Sequence, residues 1–336
     1  MTNKKSNILP IVVMYLLFFM IAFVTNLCNP MAVIVKNNFA MSNFAAQLGN
    51  AANFIAYAAM GIPAGMLLKK IGYRKTALVA ILIGFIGVFL QYMSGWAAIQ
   101  SFWVYLAGAF TAGFCMCMLN TVVNPMLNTL GGGGNKGNQL VQFGGVCNSL
   151  AAVLVTIIMG SLIADATKAQ IADATPALMI ALGVFAFAFL VLLLVKIPEP
   201  AQENEGDKAK DKKYSAFSFR HFNLGILAIF LYMGVEVGVP TYVMQYLTTS
   251  PDATTPGLGI NASIVGMIVA VYWLLMLVGR LLGGMIGGKV SSRAQITGVS
   301  ILCLVLVLLG MFLPTDVMVK MPGIDWATLT IMTAQV

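Results

Sequence analysis

Long apolar runs separated by short polar breaks dominate the chain. They fall at about 8–35, 44–68, 76–94, 100–127, 139–164, 177–196, 222–248, 262–287 and 295–313, and a further run opens near Trp326. Each of the first nine is about as long as a helix needs to cross a hydrocarbon layer, roughly 17–25 residues. The runs are apolar all round, whereas a surface helix of a soluble domain would keep one polar stripe. The pattern predicts an all-α polytopic membrane protein.

Composition agrees. Of 336 residues, 60% are hydrophobic and 9% charged, with a mean hydropathy of +0.90. A soluble domain carries roughly 25% charged residues. No soluble fold covers so much apolar surface with so little charge, which excludes a cytosolic enzyme. The net charge of +8 would suit nucleic acid, but the placement of the charges explains it differently. Lys4 and Lys5, then Lys69, Lys70, Arg74 and Lys75, then Lys136, the linker lysines, and Lys289 with Arg293 all fall on breaks of one side; Lys36, Lys168 and Lys320 fall on the other. By the positive-inside rule the N-terminus is cytoplasmic, and no nucleic-acid partner is needed. The opening run continues through Asn29-Pro30 without a small-residue cleavage site, so it reads as a first span rather than a signal peptide.

The longest polar stretch, Ile197 to His221, separates six spans from the remainder. Domains at 1–196, 197–221 and 222–336 follow: a six-helix bundle, a solvated cytoplasmic linker and an incomplete second bundle of spans seven to nine with the start of a tenth. The two parts share a device. Gly65 to Lys75 after the second span and Gly284 to Arg293 after the eighth both place small residues before a short basic turn. Parallel repeats of this kind build transporters that rock two halves about a central site. The sequence stops inside its tenth run, three spans short of a six-plus-six layout, which reads as a fragment.

Acids are scarce, and their positions matter. Of the 11, all but Glu236 lie in loops, the linker or at span edges. A carboxylate in mid-span is costly in lipid and marks a functional site by default. Glu236 could take up a proton, ligate sodium or bind sugar hydroxyls; it could equally be a structural partner for Arg280, the one basic residue inside a span. Amides gather in the first six spans: Asn26, Asn29, Asn50, Asn53, Asn120, Asn124, Gln142 and Asn148. They can recognise hydroxyls, and they also act as glue between helices. Asn53 and Tyr57 share a helical face, as binding residues or as a packing stripe. Tyr232 and Trp273 could stack on a sugar ring or simply pack. Pro30, Pro63, Pro125 and Pro240 lie at membrane depth, where they break or kink helices.

Several readings are set aside. Gly131–Gly134 lacks a following Gly-Lys-Ser/Thr and joins two spans, so it is a flexible turn rather than a phosphate loop. The five cysteines lie in spans and imply no disulfide, and Cys115-x-Cys117 has the wrong spacing for a metal. With one histidine, His221, there is little for acid–base or metal chemistry to use, so the chain is not an enzyme and needs no cofactor.

Four segments together resemble the major facilitator superfamily, in its fucose and glucose/galactose proton-symporter branch. They are Tyr57-x5-Pro63-Ala64-Gly65 running into Lys69-Lys70-x-Gly72-Tyr73; Asn120-Thr121-Val-Val-Asn124-Pro125; Asn148-Ser149; and Leu231-Tyr232-Met-Gly234-Val-Glu236-Val-Gly238. The resemblance covers essentially the whole chain. It implies secondary transport of a small sugar, a hexose or deoxyhexose, by a monomer in the bacterial inner membrane, with Asn29, Asn120, Asn124 and Asn148 at motif positions as substrate-binding residues; Asn53, Tyr57 and Glu236 join them from the reading of the residues themselves. The family links an Asp in span 1 and a Glu opening the span 4 motif to proton coupling, and here those positions are Asn29 and Asn120. Asn does not titrate. Coupling therefore moves to Glu236, with proton or sodium as the ion, or is absent altogether, as in a uniporter. Drug export on the same fold and a non-transporting sugar sensor are the other readings.

Overall fold

The computed structural model describes residues 8–162, 170–195, 197–199, 216–250, 257–260, 262–312, 318–319 and 329–330. The helices are α1 (Ile8–Asn38), α2 (Asn43–Ile71), α3 (Tyr73–Met93), α4 (Phe102–Leu130), α5 (Gly134–Leu162), α6 (Thr175–Leu194), α7 (Arg220–Thr248), α8 (Ala262–Ile286) and α9 (Ser292–Phe312). Nine spans of length and composition fit to cross a membrane lie along them, matching the nine complete apolar runs to within a turn at most ends. The protein is a multi-pass membrane protein. A single 3-10 turn, Ala216–Ser218, precedes α7.

The chain divides into two compact units, Met1–Gly284 and Met285–Val336. The second unit holds α9 and a two-residue antiparallel pair, Met318–Val319 with Leu329–Thr330. Where a further span was expected to open near Trp326, Leu329–Thr330 is extended. The rest of that run lies outside the described residues, as does the linker from 200 to 215.

In the first unit, α1 and α4 supply the centre. Met14, Leu17, Met20, Met31 and Ile34 of α1 are fully buried, with Met116, Met118, Leu119 and Met126 of α4. Lipid gives helices no hydrophobic reason to associate, so small residues must let backbones approach. They do so here. A Cβ on Gly87 of α3 would lie 2.7 Å from the backbone nitrogen of Ala112 on α4, and one on Gly108 would lie 2.6 Å from the carbonyl of Gly87. Phe185 of α6 fills the groove that Gly84 leaves beside Cys115.

Two local features take definite form. The four prolines interrupt no helix: Pro30, Pro63, Pro125 and Pro240 all lie inside continuous α-helices. A spanning helix tolerates proline where neighbours satisfy the freed carbonyl. The glycine run is a tight turn, since α5 already starts at Gly134, with Asn135-Lys136-Gly137 as its first turn. Gly132 and Gly133 hold φ of +79° and +74°, which a side chain rarely adopts.

Candidate functional site

Two polar clusters lie within the membrane-spanning helices. The first is on α2 and α4. Asn124 donates its amide to the Asn120 side-chain oxygen at 3.3 Å and to the Asn120 carbonyl at 3.0 Å; Asn120 donates to the Met116 carbonyl at 3.2 Å. One helical turn separates each of these groups, which is why the spacing stacks them. Tyr57 of α2 stands beside the Asn120 side chain. All three side chains are half-buried, so part of each is free to meet a solute. On α1, Thr25 and Asn26 donate to the Ile21 and Ala22 carbonyls at 2.8 Å, and Thr25 also reaches the Met116 sulfur.

The second cluster is built around Arg280 of α8. One guanidinium nitrogen, NH2, donates to Glu236 Oε1 at 2.7 Å and to the Tyr232 hydroxyl at 3.1 Å, both on α7. The other, NH1, donates to the Gly145 carbonyl at 3.0 Å and to Ser149 Oγ at 3.1 Å, both on α5. The ion-paired side chains are 11% (Glu236) and 23% (Arg280) exposed. Burial at this depth explains the arrangement, because an isolated charge there would be costly and a paired, hydrogen-bonded one is not. Tyr272, also on α8, donates to the Glu236 backbone carbonyl at 3.2 Å. Three side chains, Tyr232, Ser149 and Tyr272, and the Gly145 carbonyl thus hold one Glu–Arg pair.

The expected site residues divide between these clusters and elsewhere. Tyr57, Asn120 and Asn124 come together, and Glu236 anchors the second cluster. Asn148 is half-buried and adjoins Ser149. Asn53 does not join them: 1% exposed, it donates to the Ala109 carbonyl of α4 at 3.3 Å and acts as an inter-helix tie. Its backbone carbonyl faces Gly113, where a Cβ would collide. Asn29 lies in α1, and its side chain is outside the described residues. Sequence reasoning passed over Ser149, Gly145 and Tyr272 as site residues. Arg280 as the lone mid-span base was the available signal, since such a charge needs several acceptors. Among the described residues no group of three or more His, Cys, Asp or Glu could hold a metal ion.

Comparison with known proteins decides the family. The Major Facilitator Superfamily model matches residues 14–334. The chain belongs to the major facilitator superfamily. Its relatives include a glucose/galactose transporter of Brucella abortus, 29% identical over 288 residues that cover 84% of this chain and 68% of the relative. A putative glucose/galactose transporter of Helicobacter pylori is 29% identical over 93% of this chain and 76% of its own. The L-fucose-proton symporter of Escherichia coli is 23% identical over 92% and 74%. The solved structure of the superfamily transporter FucP in its outward conformation shares the fold, with a TM-score of 0.73, 21% identity, and coverage of 92% of this chain and 78% of that one. These are the relatives to which the four motifs pointed, and all are transporters rather than enzymes.

Proposed function

We propose that this chain carries a neutral hexose or deoxyhexose across the bacterial cytoplasmic membrane by alternating access, with its N-terminus in the cytoplasm. The single observation that supports this most is the likeness to glucose/galactose transporters over 84–93% of the chain. The site chemistry agrees with it. Asn120, Asn124 and Tyr57 offer both donors and acceptors, as a ring of hydroxyls requires. Glu236 and Arg280 neutralise each other, so the cluster offers no net charge to a sugar acid or sugar phosphate.

Coupling, on this reading, runs through Glu236, where a proton or a sodium ion competes with Arg280 for the carboxylate. One observation favours facilitated diffusion as a second reading: Asn29 and Asn120 cannot titrate, and Glu236 already has a cationic partner. The protein acts as a monomer and needs no bound cofactor.

The test is uptake of labelled glucose, galactose and fucose into vesicles carrying the full gene product, under a proton gradient, a sodium gradient and neither. Accumulation above equilibrium under one gradient identifies a symporter and its ion. Equilibration without accumulation identifies a uniporter. Entry of none of the three sugars above that of empty vesicles overturns the sugar assignment.

A further inference from the structure

The two nitrogens of Arg280 face different parts of the protein. NH2 holds Glu236 and Tyr232, on the neighbouring helix of the same half of the sequence, and NH1 holds Gly145 and Ser149, on the fifth span of the other half. We propose that Arg280 is the clasp between the two halves of the transporter, and that transfer of NH1 off α5 is the step that lets them part.

The seam between α5 and α8 is built for this. Towards the start of α8, Val265, Val269 and Trp273 pack with Ala152 of α5 in a dry cluster. From Arg280 onward the seam changes character. A Cβ on Gly145 would lie 3.1 Å from Arg280 Cδ, so the glycine lets the guanidinium approach the α5 backbone closely. Further along, Gln139 donates to the Gly284 carbonyl at 2.9 Å, and a Cβ on Gly283 would lie 3.1 Å from Gln142 Oε1. This half of the seam is made of hydrogen bonds to backbone carbonyls and of small residues, with the Phe143 ring of α5 set against Gly284.

The chemistry also makes the clasp reversible. Leaving α5 strips Arg280 of two neutral acceptors but not of its counter-charge, because Glu236 travels with it on the α7 side. The Gly145 carbonyl remains in the α5 helix, and the Ser149 hydroxyl can turn back to that same carbonyl four residues earlier, as serines in helices do. Neither the closed nor the released state therefore holds an unpaired charge in the membrane, the condition that would otherwise forbid the motion. Glu236 and Tyr232 are positioning residues in this scheme: they aim the guanidinium so that NH1 reaches α5.

The inference rests on reading the chain as an alternating-access transporter, and not on which solute it carries. The test therefore needs no sugar. In full-length protein with the native cysteines replaced, Gln142→Cys places one thiol opposite Gly283, and its rate of reaction with a water-soluble maleimide is followed in vesicles of both orientations. Arg280→Lys, which keeps the charge but loses the two-way fork, and the charge-neutral pair Arg280→Gln/Glu236→Gln are compared with the parent. A protein keeping only the buried Cys115, between α3 and α4, reports unfolding. The expected result is a rise in Gln142→Cys labelling of about fivefold or more in both variants, the scale of a conformational coupling, from one side of the membrane, with Cys115 still protected. Unchanged labelling in the charge-neutral pair, or a rise accompanied by labelling of Cys115, overturns the clasp. A failure of the sugar assignment alone would leave the labelling result intact.

Discussion

Tyr272 donates its hydroxyl to the backbone carbonyl of Glu236, the carbonyl that Pro240 leaves without its helical donor. Proline has no N–H, so the bond from position 240 to position 236 cannot form. The helix passes through Pro240 unbroken because α8 supplies the missing donor. The same contact fixes the backbone that carries the Glu236 carboxylate.

This pairing predicts a non-additive result. Tyr272→Phe should lower stability by about 1 kcal/mol, the scale of a hydrogen bond lost to a buried acceptor. Pro240→Ala restores the helical N–H, so in that background Tyr272→Phe should cost close to nothing. Thermal unfolding of the four detergent-purified proteins measures the coupling. Equal costs in both backgrounds would show that the hydroxyl does not serve the freed carbonyl.

The Glu236–Arg280 pair predicts a second asymmetry. Breaking a buried pair by removing one partner typically costs about 3–5 kcal/mol, since a charge is left behind, whereas removing both costs much less. Glu236→Gln and Arg280→Gln should each sharply reduce the yield of folded protein, and the double variant should recover most of it. Size-exclusion profiles in mild detergent read the yield. Uptake by the recovered double variant then separates folding from coupling: downhill entry with lost accumulation is the expected result.

The sequence exposed the fold almost completely and the site only in part, for physical reasons. Nine spans are legible because lipid demands about 20 apolar residues per crossing, a signal no packing detail obscures. Glu236 and Arg280 were legible as candidates because charge in mid-span is rare. Asn53 and Asn120 match in residue type and depth, and only the partner, the Ala109 carbonyl, distinguishes the two. Gly145 and Ser149 carried no signal of their own, since an acceptor carbonyl looks like any other until the helix facing it is known. Glu199 was hidden likewise, as one acid among several in a charged linker.

Glu199 in fact closes the start of α3. Its carboxylate accepts from the backbone N–H groups of Tyr73 and Arg74 at 2.8 and 3.0 Å, while the Arg74 guanidinium donates to the Leu192 and Leu193 carbonyls at the end of α6 at 3.1 and 2.7 Å. A carboxylate at a helix start and a cation at a helix end each suit the helix dipole. Glu199→Ala should lower stability by about 0.5–2 kcal/mol, the range for a lost N-cap, and the difference should shrink in high salt. Gly72→Ala should cost at least about as much, because φ there is +83° and the new Cβ would lie 2.8 Å from the Glu199 carboxylate. Melting temperatures at low and high ionic strength check both.

The amides offer the sharpest separation of structure from transport. Asn53→Ala removes a buried tie between α2 and α4 and should cost stability, about 0.6 kcal/mol for an average inter-helix hydrogen bond in a membrane. It should leave the apparent KM for sugar near the parent value. Asn120→Ala and Asn124→Ala remove half-buried groups whose hydrogen bonds run along their own helix. These should raise the KM by roughly tenfold each, the scale of one hydrogen bond to solute, with little change in melting temperature. Asn120→Asp restores a titratable group at a position where the family keeps an acid, and it should make uptake steeper in external pH than in the parent. A KM shift in Asn53→Ala, with none in Asn120→Ala or Asn124→Ala, would move the solute away from the α4 amides and towards the Arg280 cluster.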